Sequence, residues 1–498
     1  MHYLFPNKIS DWSAGVRRLG LALLAVGASL CLVPASLSAQ PFAPADLRAD
    51  LDFLQKALYR GHPGAFRYTP RDSMDALFDR LRAAVPTDSV SADQAQVLLR
   101  RAVAAVRDGH TSVETPFFDE KTRVMPLHAQ VADGKVFVWR HYSGDTSLRR
   151  GAEIRSVNGI AAADLLARCR SVAFGDGFNT TFADQMASVY FARLVRLFQG
   201  DTAQYTVEGI SPQGQPRSHS MAAKSRADLQ KLQETRIREG RRQPLPPRQA
   251  PVMFRRNMSL RRDTALPNVA VLALTSFPNR GYRRFYREAF RWLRQQHIST
   301  LVVDVRNNTG GNIRNMDRLV ASIADVPFGY DYLRQRHTRM GRYFSHKAKL
   351  SQALIWLKYN FQPGFRYRRE GDFRVQRWRV KPRKRHNFDG KTFVLTNGWS
   401  FSSASMCASF LKNKAGATVV GTESGGNESG NCGGGFPKLK LPNTGYRVRF
   451  PLFLLRYQVG RPDTGRGVMP DIATPYGIRD LLDGKDLEME AVRRALRQ

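Results

Sequence analysis

The stretch STLVVDVRNNTGGN, residues 299–312, decides the architecture. Its first half is a short apolar run of the kind found in a strand buried on both faces, and Asn-Asn-Thr-Gly-Gly then breaks it. The next segment, IRNMDRLVASIAD, has helical spacing. An apolar strand passing through a glycine turn into a helix is one unit of an α/β layer. Neighbouring segments repeat it. NVAVLALTSF (268–277) reads as a buried strand and YRRFYREAFRWLRQQ (282–296) as an amphipathic helix. KTFVLTNG (391–398), a helix from about 402 to 413, and ATVVGT (417–422) continue the series. The α/β core is therefore assigned to 266–326 and 391–498, with a long basic, aromatic insertion at 327–390.

The rest of the chain has a different grain. Residues 43–115 carry apolar residues at three- and four-residue spacing in DLRADLDFLQKAL, MDALFDRLRAAV and AQVLLRRAVAAV, which predicts an N-terminal helical domain. Residues 124–210 alternate like strands in KVFVWRHY, and GAEIRSVNGI places Asn158-Gly159 at a hairpin turn, predicting a small β subdomain. Residues 211–265, rich in Pro and Arg, read as a linker or flap. Residues 1–39 read as a signal peptide: Lys8, Arg17 and Arg18 precede the apolar LGLALLAVGASLCLV, and ASLSA offers a cleavage site. The expected location is exported, either periplasmic or extracellular.

Composition narrows the function. Hydrophobic residues make up 42% of the chain, enough for packed cores rather than disorder. Beyond the leader, Cys169, Cys407 and Cys432 are too few and too scattered for a disulfide framework or a C-x-x-C metal site, so no metal or cofactor is expected. The formal charge is +36, or +34 once the three basic and one acidic residues of 1–39 are set aside. Such a balance invites a nucleic-acid reading. The basic residues are spread along the chain, however, and the leader points out of the cell, so no nucleic-acid partner is expected. Peripheral contact with an anionic envelope surface fits the charge equally well, and oligomeric state is left open.

The chemistry concentrates where strands end, because helix N-termini there expose unpaired backbone N–H groups. In RNNTGGN the glycines allow backbone N–H groups to come close to a substrate oxygen. In TNGWSFSSASMCASF (396–410), Ser400, Ser402, Ser403 and Ser405 crowd the start of a helix. They are either caps or a nucleophile with caps around it. A hydroxyl beside two such donors suits acyl transfer, provided a base is present.

At this level of detail the chain resembles the S41 serine peptidases: tail-specific C-terminal processing proteases, tricorn core proteases and interphotoreceptor retinoid-binding protein repeats. SFSSASMCASFLKN is similar to the T-A-S-A-x-E segment, which implies Ser402 as nucleophile, with Ser405 standing where many relatives carry glutamate. VVDVRNNTGGN resembles D-x-R-x-N-x-G-G, implying oxyanion donors around Gly310 and Gly311, with the N–H of Ser403 as partner. VVGTESGG, GVMPD (467–471) and DGHT (108–111) resemble further family segments. The resemblance implies a crotonase- or ClpP-like core. GAEIRSVNGI is similar to a PDZ strand pair, which implies a PDZ-like module at 124–210, the alternative being an accessory β subdomain.

Tail-specific members use a lysine about two dozen residues after the serine, but SGGNESGN (424–431) contains none. The tricorn-like branch uses the histidine of D-G-H, which implies His110 as base, and an imidazole needs no strong desolvation to act at neutral pH. That branch also places a glutamate ahead of G-V-x-P-D. Here RPDTGRG (461–467) lacks it, leaving Asp463 as nearest substitute and Glu423 as second. The expectation is an exported serine peptidase acting on peptides or proteins. The alternative is an inactive relative that binds a peptide or small hydrophobic ligand.

Overall fold

The computed structural model describes residues 41–114, 122–142, 148–238, 251–335, 367–384 and 387–498. Residues 1–39, read above as a signal peptide, and the middle of the 327–390 insertion lie outside the described residues.

The central layer is a seven-stranded sheet in the order Met253–Arg255, Met258–Arg262, Val269–Leu274, Thr300–Asp304, Lys391–Thr396, Thr418–Gly421, Ile472–Ala473. From Val269 onward every pairing is parallel. The period-two alternation of the strands divides their side chains between two cores. Ala270, Leu272, Leu274, Leu301, Val303, Val394 and Val419 face the helices Tyr282–Gln295, Ile313–Val320 and Ser403–Ala415. Val269, Val271, Val302, Phe393, Leu395 and Val420 face Met489 and Val492 of the terminal helix Leu487–Ala495. Burial on both faces is why these strands read as continuous apolar runs. Asp304 and Arg306 at the strand end act structurally: Arg306 bonds Asp304 at 2.8 Å, Asp486 at 2.7 Å and Glu488 at 2.8 Å, fastening the terminal helix to the sheet.

The helices Pro44–Gly61, Arg71–Ala83 and Ala92–Ala104 form the N-terminal unit, the third opened by a Ser91/Gln94 capping box. Their apolar faces pack on Leu439, Leu441, Tyr446, Val448 and Phe450, from the far end of the chain. Strands Ser112–Glu114, Arg447–Arg449 and Lys438–Lys440 make a small sheet at that junction. Asp50 pins it: its buried carboxylate accepts hydrogen bonds from Asn443 N (3.1 Å) and Nδ2 (3.0 Å), and from Thr444 N (2.7 Å) and Oγ1 (2.6 Å). Asp50→Ala would leave two backbone N–H groups unpaired in a dry interior and is expected to cost about 3–5 kcal/mol, read from urea unfolding midpoints.

The β subdomain is an antiparallel six-stranded sheet covered by helices Ala162–Ser171 and Thr181–Gln199. Its Asn158-Gly159 turn has positive φ at both positions (49° and 76°), which is why Asn-Gly serves there. Two sequence expectations need correction. Within 211–265, read as a linker or flap, Pro216–Ala222 pairs along Gln204–Ile210, and Met258–Arg262 pairs with the central strand Val269–Leu274. Hairpin pairing supplied the order that Pro and Arg content had hidden. The ends of the 327–390 insertion are likewise integral. Phe328–Gln335 and Phe373–Val380 pair with each other, and the former pairs with Phe453–Tyr457. Arg377 of the basic run bonds the buried Asp331 at 2.9 Å rather than facing solvent alone.

Candidate active site

Two turns at the carboxyl edge of the parallel sheet meet a third segment from the N-terminal unit. The strand Lys391–Thr396 runs through Asn397 and Gly398 into the helix Ser403–Ala415, and Ser402 sits at the bend with φ 56° and ψ −122°. Serine occupies this region only under constraint, at a cost on the order of 1–3 kcal/mol. The strained strand-to-helix bend brings the Ser402 hydroxyl out of the layer, as a nucleophile elbow does.

The other serines hold the bend. Ser400 Oγ donates to Val305 O (2.8 Å) and accepts from Asn397 N (3.0 Å), tying the bend to the neighbouring turn. Ser405 Oγ donates to Ser402 O (2.8 Å), and Ser403 Oγ to Gly311 O (3.1 Å). All three are buried, while Ser402 is half-buried. Asn308, not singled out in the sequence, organises the glycine turn. Its side chain donates to Leu274 O (2.9 Å) and accepts from Gly310 N (2.8 Å), while its carbonyl accepts from Phe401 N (3.0 Å).

This corrects the expectation for Gly310. Its N–H is committed to Asn308, so it is not a free oxyanion donor. Gly310 instead gives room: a Cβ there would stand 2.8 Å from Ser402 Cβ. Among the described residues, the N–H groups of Gly311 and Ser403 have no hydrogen-bond acceptor. The first turn of a helix leaves such donors free.

His110 arrives from the turn after the third helix. Its Nε2 lies 3.0 Å from Ser402 Oγ, across 292 positions of sequence. The ring is held between Phe401 (centroids 4.6 Å apart) and Phe436 (5.4 Å, interplanar angle 9°), and Arg449 covers the outer face of Phe436 at 4.0 Å. Beneath it lies a buried polar layer. Asp108 Oδ1 accepts from His110 N (3.2 Å) and stands 3.8 Å from His110 Nδ1. Asp108 Oδ2 meets Thr111 Oγ1 and His62 Nε2, the latter at 3.1 Å. Burial pushes the Asp108 carboxyl up, but its hydrogen bonds with His110 and His62 outweigh that and hold it well below the usual carboxylate range. Because Gly64 N donates to His62 Nδ1 (3.0 Å), the His62 proton sits on Nε2. His62 is thus a supporting donor.

Asp463 does not join this group. It bonds Arg67 (2.6 Å), Asn427 Nδ2 (3.1 Å) and Gly465 N (3.0 Å), and none of its hydrogen bonds reaches His110. Glu423 is likewise taken, by Arg466 (2.5 Å) and Gly467 N (2.7 Å). The turn after Val459 carries Asp463 to the rim, where an arginine was available. Asp463→Ala is expected to lower kcat less than about tenfold, far short of the ~10⁴-fold loss that follows when the acid of a triad is disabled. Steady-state kinetics of the purified variant read this directly.

Among the described residues, two clusters have metal-like composition: His62, Asp108 and Cys432, and Asp108, His110 and Asp176, each with ligand atoms within 4.8 Å. In the first, the His62 nitrogen facing the group carries its proton, and burial pushes the Cys432 thiol well above its ordinary value. Neither group is then a ready ligand. The second cluster is the surround of His110 itself.

A half-buried serine in strain, a histidine against its hydroxyl and two free N–H donors are the groups that acyl transfer requires. Residues 268–474 match the sequence model of peptidase family S41, and the chain carries an S41 peptidase domain. No curated protein matches it by sequence. Among solved structures, mature CPAF is similar over 91% of this chain and 97% of its own, with TM-score 0.61 and 17% identity. Mature CPAF complexed with lactacystin gives 0.60 and 16%, over 91% and 98%. The photosystem II D1 C-terminal processing protease gives 0.40 and 15%, over 88% and 98%. The likeness to CPAF is one of fold, extending across the helical, β and α/β parts together.

Proposed function

We propose that this chain is an exported serine peptidase in which Ser402 is the nucleophile and His110 the base. The observation that carries the reading is the 3.0 Å approach of His110 Nε2 to Ser402 Oγ, between segments that share no local structure. Ser402 Oγ attacks the scissile carbonyl while its proton passes to His110 Nε2. The developing oxyanion is received by the N–H groups of Gly311 and Ser403. His110 then gives the proton to the leaving amine, and water, activated by the same imidazole, releases the acyl group. The antiparallel subdomain beside the site is read as the PDZ-like module and the seven-stranded layer as a crotonase- or ClpP-like core. Export rests on the basic and apolar composition of residues 1–39.

Fluorophosphonate treatment of the mature protein followed by peptide mapping tests the assignment. Covalent label on Ser402, absent from His110→Ala, is the expected result. No label on the wild-type protein would overturn the peptidase reading and favour a binding protein. Label on Ser403 or elsewhere would overturn the choice of nucleophile.

A further inference from the structure

A histidine that takes a proton from serine at Nε2 must carry its other proton on Nδ1. In His110 that atom is buried and, among the described residues, has no hydrogen-bond partner. Asp108 Oδ1 stands 3.8 Å away, already receiving the His110 backbone N–H. A second carboxylate is close by. Asp176 belongs to GDG (175–177), between the two helices that cover the β subdomain, and a carboxylate oxygen of it lies within 4.8 Å of both the His110 ring and Asp108. Its Oδ1 accepts from Gly109 N (2.8 Å), the residue immediately before His110. Its Oδ2 accepts from Asn427 N (3.3 Å), just after Gly426, where an added Cβ would stand 3.1 Å from Ser402 N. Asp176 is 2% exposed, and among the described residues no lysine or arginine forms an ion pair with it. A buried carboxylate without a cationic partner is costly, and is kept where its charge has a use.

We propose that Asp176 is the positioning acid for His110: together with Asp108 it forms a two-carboxylate cradle that orients the ring and stabilises the imidazolium formed during proton transfer. This rests on the Ser402–His110 reading. The downstream acid of the tricorn-like pattern is thereby replaced by one from the β subdomain. The cradle is electrostatically coherent. Asp108 is held ionised by its hydrogen bonds, whereas burial, with Asp108 adding to it and His110 opposing it, pushes Asp176 up to about 6. Two like charges in one dry site cannot both be comfortable until a positive ring lies between them. The other titratable groups facing Asp176 are Tyr68, Cys432 and Tyr457, all pushed up by burial and so neutral near pH 7. Arg107 donates to the carbonyl oxygen of Gly177, the residue after Asp176, at 3.5 Å. Of the two carboxylates, the one that changes charge near pH 6 is therefore Asp176, while Asp108 stays ionised.

Asp176→Asn keeps an acceptor for Gly109 N and removes the charge. The expected result is a kcat lowered by about tenfold or more, KM within about twofold, and the acid limb of the rate profile moved down by about one pH unit. A folded variant with unchanged kcat and an unmoved limb overturns the proposal. NMR decides independently of any substrate, so failure of the peptidase reading would not be mistaken for failure of this one. In ¹³C-labelled wild-type protein the Asp176 carboxyl and the His110 ring should titrate as a coupled pair, and His110→Gln should displace the Asp176 step. An Asp176 titration unaltered by His110→Gln overturns the proposal, including where Asp176→Asn does not fold.

Discussion

His110→Ala and Ser402→Ala should each lower kcat/KM by roughly 10⁴- to 10⁶-fold, and the double variant should be no worse than the poorer single one. The non-additivity follows from the geometry. One hydrogen bond, Nε2 to Oγ at 3.0 Å, makes the pair, so removing either partner disables the same step. What remains is the work of the two N–H donors and of substrate binding, which neither substitution touches. Ser403→Ala provides the contrast. Its hydroxyl donates to Gly311 O at 3.1 Å, while its contribution to the oxyanion site is a backbone N–H that alanine retains. A loss within about tenfold is expected there, against orders of magnitude one residue earlier. Steady-state assays of the four proteins on an unstructured protein substrate separate these outcomes. Comparable losses at 402 and 403 would contradict the assignment.

Gly310→Ala is expected to abolish more than about 99% of activity and to cost about 2–4 kcal/mol of stability. The new Cβ would meet Ser402 Cβ at 2.8 Å, Phe401 O at 3.1 Å and Ser403 N at 3.1 Å, and the residue has φ +106°. Backbone rather than a flexible side-chain end lies on two of those three contacts, so the neighbours cannot give way cheaply. Relief would come by pushing the bend at Ser402 away from His110, and serine–histidine proton transfer tolerates little displacement. Gly416→Ala is the control. It too has positive φ (+61°), but a Cβ there meets nothing within 4 Å, so only the backbone preference is lost, at about 1 kcal/mol, with kcat unchanged. Urea unfolding and kcat measured on both variants distinguish local strain from collision with the site.

Much of the site could be read from local sequence because its parts are short signals with local causes. The glycines of RNNTGGN, the serines of SFSSAS and the histidine of DGHT each mark a turn, and turn chemistry is written within a few residues. Asp463 was misplaced for the opposite reason. Its attraction was nearness in sequence to GVMPD, whereas its partner, Arg67, lies 396 positions away. Asp176 gave only the weak signal of an aspartate between two glycines, common in any loop. Asn308 and His62 act through hydrogen bonds to Leu274 and Asp108, partners 34 and 46 positions away that their own surroundings do not indicate.

The sequence by itself determined the α/β alternation, the helical N-terminus, the Asn158-Gly159 hairpin and the turns on which Ser402, His110 and Gly311 stand. Side-chain periodicity and backbone preference act over a few residues, and that range is legible in one chain. Only the tertiary structure decided that the helices at 44–104 seal against Leu439–Phe450, that 216–222 and 253–262 are sheet, and that two buried carboxylates face the His110 ring. The helical seal joins opposite ends of the chain, while the strand pairs and the carboxylate cradle join nearer segments; all were chosen by shape, burial and the pairing of charges once the chain had closed on itself.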